Sequence, residues 1–70
     1  MLESRGIRTG VEVFVKDRFE TSLPPKKARV VRTYPHPSSW LIVEYDDGNM
    51  EEVEEQQVTT LFEINRGIIL

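Results

Sequence analysis

The chain of 70 residues has no cysteine and one histidine, His36. Without thiols there is neither a disulfide framework nor a thiolate zinc site, and a reducing compartment is the slightly favoured setting. A lone imidazole has no second imidazole or thiol with which to share a metal, and set between Pro35 and Pro37 it reads as a surface residue. No Gly-rich phosphate loop and no Cys/His or Ser/His arrangement is present. The expectation is a chain that is not an enzyme and holds no metal and no cofactor. No apolar run approaches the ~20 residues of a membrane span, and the opening MLESRGIRTG lacks the apolar core of a signal peptide. The reading is a soluble, intracellular protein without a membrane partner.

What the chain does have is a strong hairpin signal. In WLIVEYDDGN, Leu41, Val43 and Tyr45 fall on one face of an extended run, with Trp40, Ile42 and Glu44 on the other. Asp46-Asp47-Gly48-Asn49 then supplies a pair able to take the positive φ of a tight hairpin, and residues 50–53 return as the partner strand. Upstream, Val11, Val13 and Val15 alternate with Glu12, Phe14 and Lys16, which predicts a first strand. Residues 26–34 read as a second, with Ala28 and Val30 inward and Arg29 and Val31 outward.

The stretches between break this alternation. Residues 17–25 end in Pro24-Pro25, which offers no backbone donors, and are a loop. Phe19 and Leu23 within it read either as a lid folded on the core or as part of a binding surface. Residues 35–39 form a second loop. Val53 and Val58 are too far apart for one strand to bury both. A helical turn over 54–57, followed by a strand over 58–64, brings both inward. Five short strands that must hide their edges predict a small all-β, five-stranded SH3-like barrel. The predicted organisation is a flexible leader over 1–9, the barrel over 10–64 and an extension over 65–70. The terminal Ile68-Ile69-Leu70 reads as the cut end of a longer protein or as a last strand on the sheet.

Charge is divided along the chain. Residues 1–34 carry eight Lys/Arg and four Asp/Glu, and residues 35–70 carry one and eight, so +4 and −7 give the net −3. A basic face and an acidic face follow, the acidic one suited to basic peptides. Lys26, Lys27, Arg29 and Arg32 are the basic candidates for a nucleic-acid backbone, without an interleaved aromatic signature. Glu51, Glu52, Glu54 and Glu55 are a docking surface or a solvated face. The Asp46/Asp47 pair reads as solvated turn residues, because successive side chains point apart. Of the six aromatic residues, Phe14 and Phe62 are expected in the core. Rings at strand ends and in loops can hold a methylated ammonium by cation–π attraction.

This order of signals resembles a Tudor domain of the chromatin-reader superfamily. The resemblance runs from Gly10 to Leu61: G-x-x-V at Gly10-Val11-Glu12-Val13, A-x-V at Ala28-Arg29-Val30, Trp40 to Gly48 as W-L-I-V-E-Y-D-D-G, and Val53 and Val58 before Thr59-Thr60-Leu61. It implies a module, in the nucleus, that binds methylated lysine or arginine on histone tails through an aromatic cage; as an isolated domain the chain is expected to be a monomer. Carried onto this chain, Tyr45 is similar to the third-strand ring and Phe19 to the first-loop ring, with Trp40 a further candidate. Asp46, Asp47 and Asn49 resemble the polar residues around the ligand nitrogen. The ring before Ala28 is replaced by Lys26-Lys27 and the turn ring by Asp47, so the implied cage is incomplete. DNA binding by the basic second strand, and a structural interaction domain with no methyl ligand, are the alternatives.

Overall fold

Alternating valines draw the backbone into one antiparallel sheet. In the computed structural model, which describes residues 3–65, the strands are β1 (Glu12–Val15), β2 (Lys26–Thr33), β3 (Trp40–Tyr45), β4 (Met50–Glu54) and β5 (Val58–Thr60). Their order is β4-β3-β2-β1-β5, so the first strand lies beside the last. A 3-10 turn at Glu55–Gln57 links β4 to β5, and a short helix, α1 (Leu61–Asn65), follows. No helix of the described residues is long and apolar enough to cross a membrane.

The core is built from one face of this sheet: Val13, Val15, Ala28, Val30, Leu41, Val43, Val53 and Val58, joined by Ile7. These are the positions that period-2 alternation assigns inward, with Val53 and Val58 both buried across the expected 3-10 turn. No aromatic ring is among them. Phe14 is half-buried on the outward face of β1, and Phe62 is exposed. The core expectation for these two rings is corrected: the alternation that buries Val13 and Val15 turns Phe14 outward, and Phe62 lies on the exposed side of α1.

Two local devices make the register work. Between Val30 and Arg32 the β2–β3 pairing shifts, with Val30 opposite Val43 and Arg32 opposite Ile42. This bulge at Val31 inverts the alternation, so Arg32 is exposed where an unbroken strand would drive its charge into the core. In the β3–β4 hairpin, the Gly48 N–H donates to the Tyr45 carbonyl (2.9 Å) and the Tyr45 N–H to the Asn49 carbonyl (2.8 Å). That is a three-residue loop whose last position, Gly48, has φ +88°, a conformation a Cβ would disfavour.

The leader expected over 1–9 is corrected in part: Arg5 and Ile7 are tied to the domain, and residues 1–2 lie outside the described residues. Ile7 is 1% exposed, within the core. Arg5, closing a 3-10 turn at Glu3–Arg5, grips Glu63 through Nε and a terminal nitrogen, both at 2.8 Å. It also donates to the Val58 carbonyl (2.6 Å) and the Glu55 carbonyl (3.0 Å). The last strand is corrected as well, ending at Thr60 and not 64. Thr60-Leu61-Phe62-Glu63 is a capping box: the Glu63 N–H donates to the Thr60 hydroxyl (3.1 Å) and the Thr60 N–H to the Glu63 carboxylate (2.9 Å). The expectation for Ile68-Ile69-Leu70 lies outside the described residues.

Hydrogen bonds from Arg5, aided by the Thr60 N–H, hold the Glu63 carboxyl well below its ordinary 4.5, at about 2. A depressed carboxyl contributes stability that is complete above about pH 4.5 and is lost as pH falls toward 2. Urea unfolding of wild type and Glu63→Gln should therefore differ at pH 6 and converge near pH 2. A gap that stays constant across this range would contradict the assignment. Arg5→Ala should lower stability at pH 7 by roughly 1.5–3 kcal/mol, the scale of hydrogen bonds to charged groups.

Candidate cation-binding site

The inward face of the sheet does not end where the core ends. Lys26 stands opposite Val15, Tyr45 opposite Ala28, and Glu51 opposite Val43. By alternation all three continue the inward row to the rim. There the Tyr45 hydroxyl donates to the Glu51 carboxylate. Burial first, and Glu51 second, push the phenol well above its usual range, so it stays protonated and keeps its donor.

The β1–β2 loop forms the other wall of this rim. Asp17 accepts the N–H groups of Glu20 (2.7 Å) and Phe19 (2.8 Å), bonds that hold its carboxyl below the usual range and turn the chain sharply. Phe19 is thereby projected outward, 86% exposed. The lid reading is thus overturned in favour of surface. Phe19, Leu23, Tyr45 and Glu51 line one cleft of about 170 Å³, and Lys16, Asp17, Arg18 and Lys26 share the lining. A broader groove of about 610 Å³, lined by Lys27, Asp46, Asp47 and Asn49, shares Lys26, Tyr45 and Glu51 with it.

The site residues drawn from the sequence thus divide. Phe19 and Tyr45 come together in the cleft, whereas Asp46, Asp47 and Asn49 lie in the adjoining groove. Asp47 and Asn49 are also engaged with each other, since the Asp47 carboxylate accepts both the backbone N–H and the side-chain amide of Asn49, each at 2.9 Å. Trp40 is at the other end of β3 and does not line the cleft. Its ring centroid lies 5.6 Å from the Arg18 guanidinium, which is also 5.6 Å from the Phe19 centroid and pairs with Glu54 at 2.8 Å. Lys26 stands similarly over Tyr45, its Nζ 5.7 Å from the ring.

The four basic residues of β2 do not make one patch. Lys26 belongs to the cleft, while Lys27 pairs with Glu12 at 3.0 Å. Arg29 is opposite Glu12 on one side and Glu44 on the other, and Arg32 lies over Tyr34 at 5.4 Å. Carboxylates thus interrupt the positive stripe that a phosphate backbone would need. His36 is exposed, in the β2–β3 loop.

Sequence reasoning missed Arg18, Glu51 and Glu54 as members of ring-containing clusters. The two glutamates had a usable signal, because the three-residue loop fixes the register and counting back sets Glu51 opposite Val43 and Glu54 opposite Trp40. Arg18 had none, since its position depends on how the loop folds back. No protein-family model, no curated protein and no solved structure matches this chain.

Proposed function

We propose that this chain is a non-catalytic recognition module that binds a basic peptide, taking a lysine side chain, methylated or not, into the cleft between Phe19 and Tyr45. The observation that carries this reading is the convergence of two rings and the Glu51 carboxylate on one small concavity. Ring faces and the Glu51 carboxylate suit an ammonium, and the chain's own Lys16, Arg18 and Lys26 supply the cations that now line the cleft. Lys26 already holds an ammonium beside the Tyr45 ring, and a ligand would take over that position.

An SH3-like barrel of the Tudor type is the architecture proposed with it. One sheet buries an entire face of valines, yet α1 and the Glu55–Gln57 turn contribute no buried residue. Curling β4 and β5 toward each other would let the sheet, with Ile7, cover its own valine face and would shorten its exposed edges. On that reading the histone-tail ligand and nuclear setting of the Tudor resemblance are proposed as well.

The test is fluorescence anisotropy with a labelled histone-tail peptide, trimethylated or unmodified at one lysine. Tyr45→Ala, still folded by circular dichroism, should weaken binding roughly 2- to 30-fold, the worth of one good ring contact. Glu51→Gln should also weaken it. Unchanged affinity in Tyr45→Ala would rule the cleft out as the site.

A further inference from the structure

We infer that Phe19, Trp40 and Glu54 form a second subsite, specific for a guanidinium, which takes an arginine side chain from the bound peptide and which Arg18 of the chain itself occupies as a displaceable plug. The proposal rests on the preceding reading in taking a basic peptide as ligand, and it shares Phe19 with the Tyr45 cleft, which Arg18 also lines. Its key residues, Trp40 and Glu54, lie outside the Tyr45 cleft.

Three groups converge on the Arg18 guanidinium: two ring centroids at 5.6 Å and the Glu54 carboxylate at 2.8 Å. Indole is the best cation–π acceptor among side chains, and a planar guanidinium can stack on a ring face while donating to a carboxylate beside it. The receiving half is rigid. Trp40 and Glu54 are cross-strand partners in β3 and β4, and the Glu54 N–H is held by the Gln57 side chain at 3.0 Å. The Gln57 side chain in turn donates to the Lys16 carbonyl at 3.1 Å.

The cation, by contrast, comes from a surface loop. The Arg18 side chain is 46% exposed and meets its carboxylate through a single nitrogen. Arg5 shows what a structural arginine of this fold does: it forks onto Glu63 and donates to two backbone carbonyls. Arg18 makes a contact of the kind a free arginine could copy. Because it is tethered, it competes at high effective concentration, which lowers the apparent affinity of any incoming arginine.

Trp40 is the sole tryptophan, so its emission reports the subsite directly. The probes are two capped tetrapeptides, one with a single arginine among glycines and one with lysine in its place. Arg18→Ala should bind the arginine peptide about 3- to 30-fold more tightly than wild type and prefer it to the lysine peptide. Adding Glu54→Gln should abolish that gain. Arg8→Ala, the same charge change at an exposed position elsewhere, should bring no gain. No gain in Arg18→Ala, an equal gain in Arg8→Ala, or no preference for arginine would overturn the proposal. Tyr45→Ala in the Arg18→Ala background should leave arginine binding in place, so this subsite and the Tyr45 cleft fail separately.

Discussion

One face of a single sheet has to be kept from water, and the rest of the structure follows from that. The side chains that do so are small: valines, with Ala28, Leu41 and Ile7. In a domain of this size only ~60% of the unfolded surface can be buried, and the segment before β1 is drawn in to add to the core. Ile7 enters the core from one end, and Arg5 ties that segment to Glu63, Val58 and Glu55 at the other. A core filled by aliphatics leaves no aromatic ring fully buried, which frees Phe19, Trp40 and Tyr45 for surface roles.

The same alternation that fills the core arranges the candidate site. Inward positions run from Val43 and Ala28 to Tyr45, Lys26 and Glu51, so the cleft is the rim of the core. Outward positions put Trp40 beside Glu54. In each place a cation of the chain already stands near a ring, Lys26 over Tyr45 and Arg18 between Trp40 and Phe19. Charge on this protein is therefore organised as short-range pairs. The separation into a basic first half and an acidic second half is folded away, because Lys27, Arg29 and Arg18 all lie beside carboxylates.

Much of the sheet was legible in the sequence, because it depends on periodicity. The inward valines, the hairpin at Gly48 and the 3-10 turn that brings Val53 and Val58 together are all local patterns. What escaped was either non-local or masked by a plausible alternative. Residues 1–9 look polar, and nothing local marks Ile7 as a core residue or Arg5 as the partner of Glu63, 58 positions away. The T-x-x-E capping box at Thr60 was present but lay within a run also compatible with a strand. Of the site, the rings and acids were nameable. Their division into two clusters was not, because it depends on how the 17–25 loop folds back, and Asp17 determines that through its own backbone contacts.

The most direct test of cation recognition at the Tyr45 rim is a two-dimensional NMR titration of the labelled domain. Trimethylated and unmodified histone-tail peptides would be added first, and then a short DNA duplex. Recognition at the rim predicts shifts concentrated at Phe19, Lys26, Tyr45 and Glu51 with peptide, larger for the methylated form, and none there with DNA. Shifts confined to Lys27, Arg29 and Arg32 with the duplex, with the Tyr45 rim silent to every peptide, would contradict it and make the outward face of β2 the functional surface.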